Sequence, residues 1–244
     1  MANPIVLVSL DGSKSAAGVL PIAQRLADLS GVALEVVPGG RPKAILTAAA
    51  DLGARLIVMQ AHSRKTQRGG AIGATALAVL RGAGCPVVMV DPSRAQENWN
   101  LRRLLAPHDG SPAVSDALGP AIEFTHEARA ELIVLQVAHD ARALEAGSIA
   151  PPAYLDQVHH SWPAWSEEFL QRLASVCPLE DVRVRLLVGH GEPAAETFRV
   201  AAKEAVDLIV LAWKGRWEAP HASTFKAVLR NAPCPVMVTR VPGS

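Results

Sequence analysis

The sequence predicts an α/β protein of two tandem domains, each a doubly wound parallel sheet, with the first domain truncated by one strand–helix unit. Short apolar runs alternate with longer amphipathic stretches, which is typical of βαβ units. Landmark motifs occur twice in the same order, among them AGCPVVMVD at residues 83–91 and APCPVMVTR at residues 232–240. The offset between repeated landmarks changes along the chain, which indicates that the two copies differ in length.

The offsets locate that difference. Asp-Gly-Ser at residues 11–13 recurs 98 residues later, whereas Gly-x-Pro at residues 40–42 recurs 151 residues later. The second copy therefore holds 53 more residues than the first between these two landmarks, enough for one strand and one helix. We expect domains at residues 1–91 and 102–244, joined by a polar, proline-containing linker at residues 92–101.

Each element of the first copy is predicted from its apolar pattern. Residues 5–10 are a continuous apolar run and predict a strand. Apolar side chains at helical spacing predict a helix over residues 15–29 that ends near Gly31. The remaining elements, in chain order, are a strand at 32–37, a helix at 42–52, a strand at 56–60, a helix at 74–81 and a strand at 87–90.

The second copy repeats this order and adds one unit. Its first strand begins at residues 104–106, and a helix is predicted over residues 113–128. The added unit is a strand at 132–138 and a long helix at 156–176. Trp162 and Trp165 in that helix are more typical of core or interface packing than of base stacking. The later elements are strands at 182–188, 208–211 and 236–239 and a helix at 194–204.

The repeated Cys-Pro pair precedes the last strand of each copy. Proline closes the preceding helix and is tolerated at a sheet edge. Both strands that follow are short and apolar, and an exposed apolar edge invites pairing. We therefore expect the two copies to cover each other's edge through residues 87–90 and 236–239.

Composition excludes several classes of protein. The net charge is +1 with scattered Lys and Arg, so no footprint for nucleic acid or a membrane surface is expected. No apolar run reaches the roughly 18 residues of a membrane-spanning helix, and the first residues do not resemble a signal peptide. The three cysteines lack CxxC spacing, which favours free thiols in a reducing cytoplasm over a disulfide or a metal site.

The repeated motifs resemble the universal stress protein family. The resemblance rests on a first strand ending in Asp-Gly-Ser, a helix starting at Gly-x-Pro, the LIVM run and the closing A-x-CPV-x-V, and it covers both copies. It implies the five-stranded parallel fold of adenine nucleotide alpha hydrolase-like domains and, in tandem members, adjoining fifth strands. Many members bind ATP through Gly-x2-Gly-x9-Gly-Ser/Thr after the fourth strand, and others lack this motif and bind no nucleotide.

The family motif is incomplete in both copies, and only the second could hold a whole nucleotide site. Its loop, AWKGRWEAPHAS, is three residues shorter than the family's and contains Trp213, Lys214 and Trp217. Asp109 and Val137 match the family's ribose and adenine positions. The candidate residues of the second copy are Asp109, Val137, Ala212, Gly215, Arg216, Ala222 and Ser223.

The first copy has kept less. Only Gly73 of the motif glycines survives, Thr75 could supply the hydroxyl, and the adenine-side strand is missing. The corresponding degenerate site consists of Asp11, Gln60, Ser63, Gly73 and Thr75. The glycines at residues 69–73 resemble a dinucleotide fingerprint, but their context favours a loop.

Several candidate residues also have structural roles available to them. Asp11 and Asp109 are suited to cap the helices that follow, with Ser13 or Ser111 assisting. His108, His190 and His221 could converge on one edge of the second sheet, but solvated histidines are favoured over a metal site.

Two functions from different classes therefore stay open. The first is a non-enzymatic stress-response protein whose second copy senses ATP or AMP. The second is a tandem scaffold that binds no nucleotide and acts through protein contacts or another small ligand. No hydrolase motif is present, so we expect no enzyme, and no metal. The expected partner is intramolecular, each copy for the other, and a homodimer is allowed; nucleic acid and membrane are not expected.

Overall fold

A computed structural model of the chain describes residues 3–12, 18–61, 72–138, 158–176, 179–215, 217 and 222–241. The first half of the chain contains four described strands and three described helices. In chain order these are β1 (Ile5–Leu10), α1 (Leu20–Leu29), β2 (Ala33–Pro38), α2 (Pro42–Asp51), β3 (Ala54–Gln60), α3 (Ala74–Gly82) and β4 (Val87–Val90).

The second half contains five described strands and five described helices. In chain order these are β5 (Arg103–His108), α4 (Pro112–Ala117), α5 (Gly119–Ala128), β6 (Glu131–Ala138), α6 (Val158–Val176), β7 (Arg183–His190), α7 (Pro193–Lys203), β8 (Leu208–Trp213), α8 (Ala222–Asn231) and β9 (Val236–Arg240). None of the described helices is long and apolar enough to cross a membrane.

All nine described strands belong to one sheet. Their order is β2-β1-β3-β4-β9-β8-β5-β6-β7, and every neighbouring pair is parallel except β4 with β9. Within each half the chain steps to both sides of its first strand, as in a doubly wound sheet. The predicted fold class is thus confirmed, with four strands in the first half and five in the second.

The two halves join through their last strands, as the apolar edges predicted. β4 and β9 run antiparallel, with Val88 opposite Met237 and both side chains fully buried. Residues of the predicted linker add to this contact. Trp99 is buried, and its Nε1 donates a hydrogen bond to the carbonyl of Asp207 at 3.0 Å.

The missing unit of the first half is a strand and its helix from the middle of the fold. By its Gly-x-Pro landmark β2 matches β7, the outermost strand of the second half. In the second half β6 separates β7 from β5, whereas β2 pairs directly with β1. The strand that matches β7 has therefore moved inward by one position.

Apolar layers cover both faces of the sheet and continue across the junction of the halves. One layer packs α1, α5 and α6 against the sheet, and the other packs α2, α3, α7 and α8. The side chains of each strand alternate between the two layers, which is why the strands read as continuous apolar runs.

Several predicted boundaries are wrong for identifiable reasons. The helix predicted over residues 113–128 is two helices that meet at Leu118, because Pro120 lacks an N–H and its ring clashes with the carbonyl four residues earlier. α1 begins at Leu20, with Pro21 in its first turn, rather than at residue 15; residues 13–17 lie outside the described residues. β3 and β8 are each longer by two residues than predicted.

The cysteines follow the expected pattern in part. Cys85 and Cys234 are free thiols, and burial raises the pKa of Cys85 to about 11 and that of Cys234 to about 12. Both are therefore protonated and unreactive near neutral pH. Cys177 lies outside the described residues.

Candidate functional site

The candidate site of the second half lies between the carboxyl ends of β5 and β8. β5 has β6 on one side and β8 on the other, so the chain leaves these strands in opposite directions and opens a crevice. Asp109 follows β5 directly, and Lys214 follows β8 directly. Ligands of open α/β sheets bind in such crevices.

Asp109 joins the two sides of the crevice. Its Oδ1 accepts hydrogen bonds from the backbone N–H of Ser111 at 3.0 Å and from the Ser111 hydroxyl at 2.6 Å. Its Oδ2 accepts one from Nζ of Lys214 at 3.2 Å. Burial acts to raise the pKa of Asp109, but the bonds from Ser111 and the charge of Lys214 outweigh it, so the pKa is lowered. The carboxylate is therefore ionised at neutral pH.

The bonds of Asp109 correct its predicted role as a helix cap. They go to the residue two positions later, which makes a turn of the Asx type. The N-cap position of α4 is Ser111 itself, and in the described structure its side chain makes no capping hydrogen bond. Asp109 thus shapes the turn that leads into the helix.

His108 supports this turn from inside the protein. It is buried, and its Nδ1 accepts the backbone N–H of Gly110 at 2.8 Å. Nδ1 must therefore be unprotonated, and the proton on Nε2 faces the Ser115 hydroxyl at 3.1 Å. Arg172 of α6 donates a hydrogen bond to the carbonyl of Gly110 at 3.1 Å. Both the N–H and the C=O of Gly110 are therefore hydrogen-bonded to side chains.

The environment of His108 keeps it neutral. Burial is the main cause that lowers its pKa to about 4, and the nearby charges of Arg172 and Lys214 lower it further against the opposing effect of Asp109. The prediction of a solvated histidine is wrong for His108 because the side chain is enclosed by α4 and α6, with the Phe169 ring 4.8 Å away. His190 is exposed, and His221 lies outside the described residues. Among the described residues, no group of three or more His, Cys, Asp or Glu is arranged to hold a metal ion.

The other predicted residues of the second half lie along the same sheet edge or just beyond it. Val137 is partly buried on β6 opposite Gly189, and Ala212 is partly buried near the end of β8. Gly215 has a φ of +76°, a conformation that favours glycine. Ala222 is the buried first residue of α8, and Ser223 beside it is exposed. Arg216 lies outside the described residues.

Sequence reasoning missed an aromatic cluster beside this edge. Trp213, predicted to lie in the loop, is the last residue of β8 and is 4% exposed. Its ring stacks on Phe225 of α8 at 5.8 Å, and Trp217 meets the same ring edge-on at 6.1 Å. The alternation of Ile209, Leu211 and Trp213 was a signal for the strand position, because all three belong to one apolar layer. The Nε1 of Trp213 is buried and has no hydrogen-bond partner among the described residues.

The degenerate site of the first half is partly closed by its own loops. Asp11 is exposed after β1, and the backbone of Gly39 packs so closely that a Cβ would lie 2.9 Å from the Asp11 nitrogen. The Thr75 hydroxyl donates to the carbonyl of Gly40 at 3.4 Å. Gly73 takes the N-cap position of α3 without a side-chain cap. Gln60 ends β3, and its buried Nε2 has no partner in the part of the chain that the structure describes. Ser63 lies outside the described residues.

Comparison with known proteins gives one consistent result. The model of the universal stress protein family matches residues 23–91 and 100–240. A universal stress protein of Methanocaldococcus jannaschii is 26% identical over 151 residues, which cover 58% of this chain and 83% of that protein.

Solved structures agree on the fold over nearly the whole chain. A universal stress protein from Archaeoglobus fulgidus superposes with a TM-score of 0.67 at 16% identity, covering 97% of this chain and 98% of the other. A universal stress protein from Pseudomonas aeruginosa gives a TM-score of 0.59 at 18% identity, covering 97% of this chain and 82% of the other. At these identities the likeness concerns the fold alone.

Proposed function

Because the chain belongs to the universal stress protein family, whose members are stress-response proteins, we propose that it is a non-enzymatic regulatory protein whose second half senses an adenine nucleotide. The observation that carries the proposal is the Asp109–Lys214 pair across the crevice between β5 and β8. A carboxylate there can accept hydrogen bonds from the hydroxyls of a ribose. A cation beside it can meet a phosphate.

The residues of the crevice fit one phosphate better than three. Gly215 leaves its backbone uncovered by a side chain, and Lys214 adds a positive charge. However, Ala212 and Ala222 carry side chains where the family motif has glycine, and the loop is three residues short. A triphosphate needs several backbone N–H groups that converge on it. These changes should therefore reduce the affinity for AMP less than the affinity for ATP.

Support for a non-enzymatic role comes from the buried serine–histidine pair. Ser115 and His108 are within hydrogen-bond distance, but both are buried. The Nδ1 of His108 is occupied by the Gly110 N–H, and its low pKa makes it a poor base at neutral pH. This pair therefore holds the turn instead of activating a nucleophile.

Calorimetric titration of the whole chain with AMP, ADP and ATP tests the proposal. We expect weak binding in which AMP is at least as tight as ATP, and a loss of about tenfold or more on Asp109→Asn, because a charge-assisted hydrogen bond is removed. Asp11→Asn is the matched control in the first half and should change nothing. Tight ATP binding that survives Asp109→Asn would mean that the site lies elsewhere.

A second candidate function is a scaffold that binds no nucleotide. The observation that favours it is that both oxygens of Asp109 already accept hydrogen bonds within the protein. A ribose must displace Lys214 or share the carboxylate with it. If calorimetry detects no heat of binding with AMP, ADP or ATP while the protein is folded, the scaffold function is favoured.

A further inference from the structure

The outer edge of β2 is one end of the described sheet. β2 is terminal in the strand order, and among the described residues no strand pairs with its outer side. Val36 at its centre is 54% exposed, the largest value among the exposed large hydrophobic residues of the described chain. An apolar edge strand of this kind is a template for pairing with another strand.

The loss of the strand–helix unit explains why Val36 is uncovered. Val36 lies opposite Val8, whose side chain belongs to the apolar layer that α1, α5 and α6 cover. In the second half that layer includes Trp165, Phe169 and Leu173 of α6. The described part of the first half has only α1 on this face, and it leaves Val36 open.

One hydrogen bond shows which residues of β2 direct their N–H and C=O groups to the outer edge. The N–H of Gly39 donates to the carbonyl of Leu10 on β1 at 2.7 Å. Because successive residues of a strand direct their N–H and C=O groups to opposite sides, Leu34, Val36 and Pro38 direct theirs outward. Proline has no N–H, so the free edge offers two donors, on Leu34 and Val36, and three carbonyl acceptors.

We propose that this edge pairs with the same edge of a second copy of the chain, antiparallel and with the twofold axis at Val36. In this register the two Val36 residues exchange both of their hydrogen bonds, and the Leu34 N–H of each copy meets the Pro38 carbonyl of the other. All four donors of the two edges are used, and the missing N–H of proline leaves no donor unmatched. The edge is thus complementary to itself, as a twofold interface requires.

Side chains favour the same register. Val36 faces Val36 of the second copy and Leu34 faces Pro38, so the exposed apolar strip is covered on one face of the joined sheets. Centring the pair on Glu35 instead would place two carboxylates directly opposite each other, which is unfavourable. With the axis at Val36, Glu35 faces Val37 and the two carboxylates are only diagonal neighbours. Four main-chain bonds and one apolar strip make a small interface, below the about 800 Å² per partner of a standard one, so the dimer is weak.

Sedimentation velocity of the full chain from micromolar to millimolar concentration tests this proposal. We expect concentration-dependent dimers, and Val36→Lys should weaken association by about tenfold or more because two like charges then face each other. Glu35→Gln should strengthen it about two- to fivefold, and added salt should strengthen the wild-type dimer more than the Glu35→Gln dimer. Leu52→Lys, at another exposed apolar residue (41% exposed), is the matched control and should have no effect.

The contrary results are equally definite. A wild-type chain that stays monomeric at millimolar concentration overturns the proposal. A dimer that Val36→Lys leaves unchanged, in a variant whose circular dichroism matches that of Leu52→Lys, also overturns it, because the edge would then not be the interface. The test involves no nucleotide, so its outcome is separate from that of the proposed function.

Discussion

At the scale of single residues, His108 determines how the turn bearing Asp109 responds to acid. The folded protein holds His108 neutral, with a pKa of about 4 against 6.5 for a free histidine. The unfolded chain therefore binds more protons than the folded chain between these two values. His108 therefore does not lower the free energy of unfolding above pH 6.5. As the pH falls towards 4, the cost of protonating the buried side chain lowers the free energy of unfolding by up to about 3 kcal/mol.

Replacing His108 with asparagine should remove this part of the pH dependence. The side-chain oxygen of the introduced asparagine can still accept the Gly110 N–H, but the group no longer titrates. We expect urea unfolding at several pH values to give a flatter curve of unfolding free energy between pH 7 and 4 for His108→Asn than for the wild type. The exposed His126 provides the control, His126→Asn, which should keep the wild-type slope. An unchanged slope in His108→Asn would show that other groups carry the acid response.

The sequence indicated Asp109 but not its environment. Asp-Gly-Ser after an apolar strand is a local pattern, and the structure does place Asp109 at the end of β5. Lys214 pairs with it only because β8 lies beside β5, 105 residues further along the chain. The enclosure of His108 depends on α6, and no sequence pattern near residue 108 indicates that α6 packs there. Contacts between distant segments decide these features, so local pattern could not supply them.

At the scale of elements, the β4–β9 pair is the junction that the repeated Cys-Pro strands predicted. Val88 and Met237 face each other across it, fully buried in the same apolar layer. Alanine at either position leaves a cavity that costs about 1–4 kcal/mol. The pair of substitutions should be non-additive by about 0.5 kcal/mol or more, because the two side chains share one packing contact.

A double-mutant cycle measured by urea unfolding tests this coupling between the halves. Val6→Ala combined with Met237→Ala is the matched control, since Val6 lies in the same layer on β1, three strands away from β9. We expect the control pair to be additive within about 0.5 kcal/mol. Full additivity for Val88 and Met237 would argue against a packed junction.

Element type and order were predictable because apolar period and proline positions are local signals. The position of β2 in the sheet could not be predicted. The Gly-x-Pro motif matches β2 to β7 but carries no information on which strand lies beside it. Removal of a strand and helix left β1 with an open side, and pairing with β2 satisfies its backbone groups. The predicted domain boundaries stay a prediction, although Trp99 shows that part of the expected linker packs as core.

At the scale of the whole molecule, the halves are also held together away from the strand junction. Arg55 on β3 donates to Glu127 of α5 at 2.8 Å and to Glu123 at 3.3 Å. Its guanidinium also lies 4.8 Å from the centre of the Phe124 ring. Ser30 adds a hydrogen bond to Glu127 at 2.7 Å. With a continuous sheet and two shared apolar layers, these contacts lead us to expect one cooperative unfolding unit.

The five tryptophans make this expectation measurable, because none of them precedes residue 99. Tryptophan fluorescence therefore reports on the linker and the second half, whereas circular dichroism reports on both halves. The two urea transitions should coincide in the wild type. Arg55→Ala should lower both midpoints together. The free energy of unfolding should fall by about 1–3 kcal/mol for the loss of a partly buried ion pair and a cation–π contact. Arg81→Ala, at an exposed arginine of α3, should leave both midpoints nearly unchanged and the free energy of unfolding within about 0.5 kcal/mol of the wild type. If the circular dichroism of the wild type showed an early transition without a change in fluorescence, the first half would unfold alone, and the shared sheet would not couple the halves.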